Sequence, residues 1–280
     1  NIHNKNNGKS YAIHPSSNFN VKAVDSISST ALSLICDFVQ AQTEVLLNIN
    51  AEQNHLTFDI SGTALSEFED KFSFPGHVES QPGEYLIVPW AAGMILPVEE
   101  GFPFGAFPFY GWKATMAFTG VTDLHSGYML VSEAPWDSGI EFVQASGNTH
   151  SIELVHMPSK GQLGYTRTFH FVLINEDGYN EMAHWYRRFA QDRGYVKSFT
   201  QKIAENPNIE RLRGAVNFWA LHPDFKTTEF IQSLGNFGIQ KALFSLGGSW
   251  YQDEELAELI DSINRRGLLS SRYDIYTDVW

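Results

Sequence analysis

The last part of the sequence alternates short apolar segments with helical ones, and this pattern restricts the fold more than any other feature. Strands and helices are predicted, in chain order, at 215–220, 227–237, 242–246, 253–266 and 269–276. Strands that alternate with helices of this length pair in parallel through right-handed crossovers. The stretch from Leu212 to Trp280 therefore predicts the first part of a (β/α)8 barrel, an incomplete TIM barrel.

Before this stretch, the sequence is a series of short strand patterns. Apolar or alternating runs of five or six residues, such as 33–38, 56–61 and 127–131, are separated by polar or glycine-containing turns. Strands at this spacing without long helical patterns indicate an antiparallel β-sandwich. A helix with one apolar face follows at 180–192. We therefore predict a β-sandwich over 1–177, a helical linker over 178–212 and barrel units over 213–280.

Composition excludes several classes of protein. The net charge is −13, with 19 basic and 32 acidic residues, so nucleic acid and anionic membranes are not expected as partners. The single cysteine, Cys36, excludes an internal disulfide and a metal site built from cysteines, and its apolar neighbours predict a buried thiol. No run approaches the roughly 20 apolar residues of a membrane span. The polar segment 1–10 is not a signal peptide, so the protein is cytoplasmic or its leader has been removed.

Four short segments resemble a known family. They are YLIVPWAAGMILPV at 85–98, GVTDLHSGYMLV at 120–131, EAPWD at 133–137 and RYDIYTD at 272–278. All four are similar to segments of glycoside hydrolases related to the endo-α-N-acetylgalactosaminidases, families 101 and 129. The resemblance covers the chain from about Leu56 onward. It implies a mutarotase-like β-sandwich, a short helical linker and a (β/α)8 barrel.

The resemblance also implies a chemistry and a setting. A retaining glycosidase uses two carboxyl groups about 5–5.5 Å apart, one as nucleophile and one as general acid/base. In this family both lie on later barrel strands, which we expect beyond Trp280, so no catalytic residue is assigned and the 280 residues alone are expected to be inactive. The expected partner is a glycan, and the expected location is a bacterial exterior: secreted, periplasmic or cell-surface. The oligomeric state is left open.

Polar and aromatic residues near the ends of the predicted parallel strands are the candidates for substrate binding. The set is Asp274, Tyr276, Asp278, Tyr273, Trp219, Trp250 and His222. Asp274 can accept two hydrogen bonds from sugar hydroxyls, or it can pair with Arg272 instead. Strand alternation puts Tyr276 and Asp278 on the face of Asp274, and Tyr273 on the opposite face.

Other interpretations of these residues stay open. Trp219 and Trp250 can stack on sugar rings or fill the core, and His222 can bind substrate, face solvent or cap a helix. In the sandwich, a polar group close in sequence is expected to be a solvated loop; it comprises Asp123, His125, Glu133 and Asp137.

Other classes of function have weaker support in the sequence. The segment 247–251 starts like a nucleophile elbow, but Tyr251 stands where a small residue is needed. There is no glycine-rich nucleotide loop and no pair of histidines at metal-ligand spacing, so no cofactor is expected, although a structural Ca²⁺ ion stays possible. The alternative to an enzyme is a non-catalytic carbohydrate-binding or adhesion protein that uses the β-sandwich.

Overall fold

The computed structural model describes most of the chain in twelve ranges. These are 2–3, 6–11, 19–38, 43–51, 55–62, 71–74, 76–100, 102–109 without 103–104, 114–144, 149–157, 165–220 and 228–273 without 248–252. The chain divides into two compact units, Asn1–Asp192 and Arg193–Trp280.

The first unit is built from short strands, as the sequence predicts. In chain order they are β1 (Ile2–His3), β2 (Ser10–Tyr11), β3 (Phe19–Ser28), β4 (Ala31–Phe38), β5 (Thr43–Ala51), β6 (His55–Gly62), β7 (Phe72–Ser73), β8 (Tyr85–Val88), β9 (Met94–Pro97), β10 (Phe107–Pro108), β11 (Phe118–Thr122), β12 (Gly127–Ser132), β13 (Ser138–Gln144), β14 (His150–His156) and β15 (Arg167–Ile174). A single turn of 3₁₀-helix, Pro135–Asp137, connects β12 to β13.

Thirteen of these strands form two antiparallel sheets, and β1 pairs with β2 in a third, so the predicted antiparallel character is confirmed. Nine strands are ordered β3-β4-β5-β6-β15-β12-β11-β8-β9, and four are ordered β10-β13-β14-β7. Every residue of the central strand β12 is buried. Tyr128 and Leu130 join the core that both sheets share, while Met129 and Val131 join a second apolar cluster on the other face of the large sheet. Cys36 on β4 is buried, as predicted.

Helix α1 (Gly178–Asp192) covers that second face. Met182, Trp185, Tyr186 and Phe189 lie at the predicted spacing and pack against apolar side chains of the large sheet. The sheet is close to the helix here, since a Cβ atom added to Gly120 would lie 2.9 Å from Met182 Sδ. The predicted linker is therefore divided: α1 belongs to the sandwich unit because its apolar face is buried there.

The edge strand β3 is long, exposed and irregular. Residues 20–28 are all exposed, and β3 ends the order of strands that the structure describes for the large sheet. Its pairing with β4 shifts register twice, between Val21 and Ala23 and between Ser26 and Ser28. Lys22, at the first shift, forms a salt bridge with Asp37 on β4, with 2.6 Å between Nζ and Oδ1. The alternation of β3 is weak in the sequence, which did not predict this strand.

The second unit contains a three-stranded parallel sheet with helices on one face. Its elements are α2 (Phe199–Glu205), a 3₁₀-helix (Pro207–Leu212), β16 (Val216–Ala220), α3 (Thr228–Ser233), a 3₁₀-helix (Leu234–Phe237), β17 (Ala242–Gly247), α4 (Asp253–Arg265) and β18 (Leu269–Tyr273). The order β16-β17-β18 and the parallel pairing agree with the predicted alternation of strands and helices. Phe244 and Leu246 pack against Ile231 and Leu234 and against Leu259 and Ile263.

Candidate functional site

A polar row crosses the face of the parallel sheet that is turned away from its helices. Phe244 and Leu246 point into the helix-covered core, so strand alternation places Ser245 on the opposite face. Pairing in register puts Trp219 on β16 and Ser271 on β18 beside Ser245, and Asn217 lies two residues before Trp219. On β16 and β17 the polar residue of this face, Asn217 or Ser245, stands between apolar neighbours.

Hydrogen bonds connect this row. Ser271 Oγ lies 3.4 Å from Ser245 Oγ, and Ser245 Oγ donates to Asn217 Oδ1 at 3.4 Å. Ser245 is buried, whereas the side chain of Trp219 is 50% exposed and is not a core ring. Hydroxyl and amide groups beside an exposed indole are suited to a neutral ligand with hydroxyl groups and an apolar face.

The structure describes only part of the predicted set. Trp219 is on β16, and Tyr273 is the last residue of β18, where it pairs with Gly247; its side chain is not described. The remaining predicted residues lie outside the described residues: Asp274, Tyr276, Asp278, Trp250 and His222. Asn217, Ser245 and Ser271 were not predicted, although a polar residue inside the otherwise apolar strands β16 and β17 could have indicated the first two.

The polar group of the sandwich is not the solvated loop that the sequence predicts. Asp137 is completely buried, Glu133 pairs with His170, and Asp123 caps the turn between β11 and β12. Asp123 and His125 keep the expected exposed positions in that turn. The prediction was wrong for Asp137 and Glu133 because their partners come from β15, which follows about thirty residues later.

A buried ion pair lies beside the turn at Pro135–Asp137. Asp137 Oδ2 accepts hydrogen bonds from Arg167 Nε at 3.1 Å and from Arg167 Nη2 at 3.0 Å, and both side chains are 0% exposed. The Tyr165 ring covers the guanidinium, with 4.2 Å between Cζ and the ring centroid. Burial raises the pKa of Asp137 although Arg167 opposes this shift, and burial likewise lowers the pKa of Arg167. The pair fixes the turn that exposes Trp136.

A second polar contact links β15 to the segment after β12. His170 Nε2 lies 2.7 Å from Glu133 Oε1, and His170 Nδ1 lies 3.2 Å from Thr57 Oγ1 on β6. Trp185 and Phe189 of α1 enclose the imidazole ring, with centroids 5.9 and 5.5 Å away. Both ring nitrogens are engaged, so this arrangement holds strands together and presents no open acid/base group.

Two features are absent from the described ranges. No three His, Cys, Asp or Glu side chains there come together in a way that could hold a metal ion. In the same ranges, no helix has the length and apolar character needed to cross a membrane.

No family model and no curated protein matches the sequence. Among solved structures, the chain is similar to the alpha-N-acetylgalactosaminidase NagBb from Bifidobacterium bifidum: a Gal-NHAc-DNJ complex superposes with a TM-score of 0.72 at 16% identity over 95% of this chain. Its ligand-free form gives 0.70 at 16% identity over 95% of this chain.

These similarities show that the chain shares its fold with part of the NagBb structures. A GalNAc complex of the same protein gives a TM-score of 0.71 at 16% identity over 92% of this chain and 50% of that chain. The other two matches cover 51% and 52% of NagBb. The chain thus spans about half the length of the solved structures it resembles. At this identity the likeness concerns the fold alone.

Proposed function

We infer that this chain is part of a glycoside hydrolase related to the endo-α-N-acetylgalactosaminidases, a retaining enzyme that cleaves α-linked N-acetylgalactosamine or galactose from glycans. In this proposal the chain supplies a mutarotase-like sandwich and the first strands of a (β/α)8 barrel. Similarity to NagBb over 95% of the chain supports the architecture. In this proposal the protein is bacterial and acts on glycans outside the cell.

The observation that carries the proposal is the polar row with its half-exposed indole. In α/β barrels the substrate lies at the carboxyl ends of the strands. Trp219 is the penultimate residue of β16, so its ring is near that end. Stacking of the indole on a sugar face, with hydroxyl and amide groups beside it, is a common way to bind a sugar.

The described strands do not supply the catalytic carboxyl groups of this proposal. Residues 216–220, 242–247 and 269–273 contain neither Asp nor Glu. A retaining mechanism needs two carboxyls about 5–5.5 Å apart. We therefore assign both to other strands of the barrel, and give the residues that follow β18 a binding role: Asp274, Tyr276 and Asp278 toward sugar hydroxyls. Trp250 and His222 are proposed to line the same pocket, with Tyr273 beside it.

The test is hydrolysis of aryl α-N-acetylgalactosaminide and aryl α-galactoside by the complete natural protein and by a Trp219→Ala variant. Loss of stacking is expected to lower kcat/KM by roughly 10- to 100-fold, the equivalent of the free energy of burying one large apolar side chain. Phe237→Ala is the matched control, because Phe237 is an exposed aromatic residue of the same unit on a helix, 73% exposed. Its activity should equal that of the unmodified protein.

Two results would refute the proposal. One is the absence of hydrolysis of either glycoside by the natural protein. The other is equal activity of Trp219→Ala and Phe237→Ala, which would remove the indole from the site. A change confined to one of the two glycosides would identify the sugar at this subsite.

A further inference from the structure

A cavity of about 340 Å³ opens on the sandwich unit. The segment around Lys9, the turn at 79–84 and the turn at Asp123 form its wall. Tyr11 fixes the first of these segments. Its ring packs edge-on against Tyr128, with centroids 5.3 Å apart, and its hydroxyl donates to the carbonyl oxygen of Gly127 at 3.1 Å. The N-terminal wall is therefore anchored in the core.

The charged groups of this cavity are oriented by the protein itself. Lys9 Nζ lies 2.7 Å from Asp123 Oδ2 and 4.0 Å from Glu84 Oε1. Asp123 Oδ1 accepts from the backbone N–H groups of His125 at 2.9 Å and Ser126 at 2.6 Å. Glu84 Oε2 accepts from the backbone N–H of Gln81 at 2.7 Å. Groups held in this way lose little entropy when a ligand binds.

The charge balance of the cavity decides which ligands fit. One lysine faces three acidic residues, Glu79, Glu84 and Asp123, so anions are repelled. Burial raises the pKa of Glu84. Burial acts in the same direction on Asp123, but hydrogen bonds from Lys9 and from the turn lower the pKa of Asp123 to about 2. Two carboxyl groups on either side of one ammonium thus differ in basicity.

We propose that this cavity binds a hexopyranose, the six-membered ring form of a neutral sugar. A sugar hydroxyl both donates and accepts, so one hydroxyl can accept from Lys9 Nζ while a neighbouring hydroxyl donates to Glu84 Oε1. The volume is at the lower end of the range of about 300–1,000 Å³ for small-molecule sites, which suits one sugar ring. The ammonium of Lys9 already lies between the two carboxylates, where a metal cation would have to bind.

This site is distinct from the polar row of β16–β18 and does not depend on the proposed hydrolase activity. It belongs to the sandwich unit, whereas Trp219 belongs to the other unit. A sugar site on the sandwich would bind a glycan whether the whole protein is a hydrolase or a non-catalytic carbohydrate-binding protein.

The test is binding of galactose, N-acetylgalactosamine and glucose to the full chain, measured by titration calorimetry and saturation-transfer NMR. Lys9→Met and Glu84→Gln should each weaken binding by about tenfold or more, since each removes a hydrogen bond to a charged group. Lys71→Met is the matched control, because Lys71 also pairs with a carboxylate, Glu141, at 3.0 Å on the same unit but outside the cavity. The affinity of the Lys71→Met variant for the sugars should be unchanged.

Every outcome decides for or against the cavity site. Binding that Trp219→Ala leaves intact and Glu84→Gln weakens supports it, even if glycosides are not hydrolysed. The proposal is overturned if none of the three sugars binds, or if Lys9→Met and Lys71→Met bind alike. It is also overturned if the cavity variants change only the affinity for Ca²⁺ or for an alkylamine. If Lys9→Met does not fold by circular dichroism, Glu84→Gln decides.

Discussion

The buried pair of Asp137 and Arg167 allows a quantitative prediction about the sandwich. Replacing Arg167 by Met removes both donors to Asp137 Oδ2, and it leaves a carboxylate that is 0% exposed without its charged partner. Asp137 Oδ1 already lacks a hydrogen-bond partner among the described residues, so the carboxylate has little compensation nearby. Removing one member of a buried ion pair costs about 3–5 kcal/mol. Arg167→Met should lower the free energy of unfolding by that amount.

For a unit of this size, the loss is large enough to measure without ambiguity. A change of 1 kcal/mol shifts Tm by roughly 2–4 °C in domains of about 150–250 residues, so a decrease of roughly 6–20 °C is expected. Replacing both residues, Asp137→Leu with Arg167→Met, should restore stability to within about 1 kcal/mol of the natural sequence, because apolar pairs replace buried ion pairs at little cost. If Asp137→Leu alone also costs about 3–5 kcal/mol, the coupling energy between the two positions should be at least about 5 kcal/mol.

The assay is urea unfolding of the full chain followed by far-UV circular dichroism and tryptophan fluorescence. Lys22→Met is the control on the same unit, because Lys22 pairs with Asp37 while their side chains are 49% and 42% exposed. An exposed pair contributes about 0–1 kcal/mol. If Arg167→Met loses no more stability than Lys22→Met, the account of a fully desolvated pair is wrong.

Two further perturbations test the interior of the same unit. Burial and the charge of Arg167 lower the pKa of His156 to about 3, so the folded state excludes a proton that the unfolded chain takes up near its ordinary pKa of 6.5. The resulting stability is present above pH 6.5 and is lost as the pH falls toward 3. Between pH 7 and pH 4 the free energy of unfolding of the natural protein should therefore fall by about 3 kcal/mol more than that of His156→Phe. If the urea midpoints of the two proteins differ by the same amount at pH 4 and at pH 7, the explanation is wrong. Met182→Ala should cost about 2–5 kcal/mol because Met182 is 0% exposed under α1. His184→Ala, on the exposed side of that helix, should change stability by less than about 0.5 kcal/mol in the same titration.

Local patterns in the sequence predict most elements of the fold. Helix 253–266 has apolar residues at helical spacing, acidic residues at its start and Gly267 after its end, and the structure has α4 at Asp253–Arg265 with Gly267 at φ +67°. Strand β11 was not predicted, because Phe118–Thr122 contains a glycine and two threonines and its burial comes from both faces of the sheet. Such a strand is defined by its neighbours and not by its own periodicity.

The polar contacts depend on partners that a local pattern does not contain. Trp219 could be chosen from its position near a strand end, but the row through Asn217, Ser245 and Ser271 requires the register of three strands separated by helices. Likewise, nothing near Asp137 in the sequence indicates that Arg167 will neutralise it inside the sandwich. Side chains that meet across 26–30 residues are therefore the part of the site that sequence periodicity leaves undetermined.

The irregular pairing of β3 bears on how this protein behaves at high concentration. A second molecule that added a strand to β3 would need a flat, continuous row of backbone groups, as in the stacked strands of amyloid, for which six- or seven-residue segments are typical. The longest run of β3 in unbroken register with β4 is Ala23–Ser26, only four residues. The ammonium of Lys22 stands at one end of that run. Straightening this strand would therefore turn the exposed side chains Val21, Val24 and Ile27 into part of a template for fibrils, which the two register shifts interrupt.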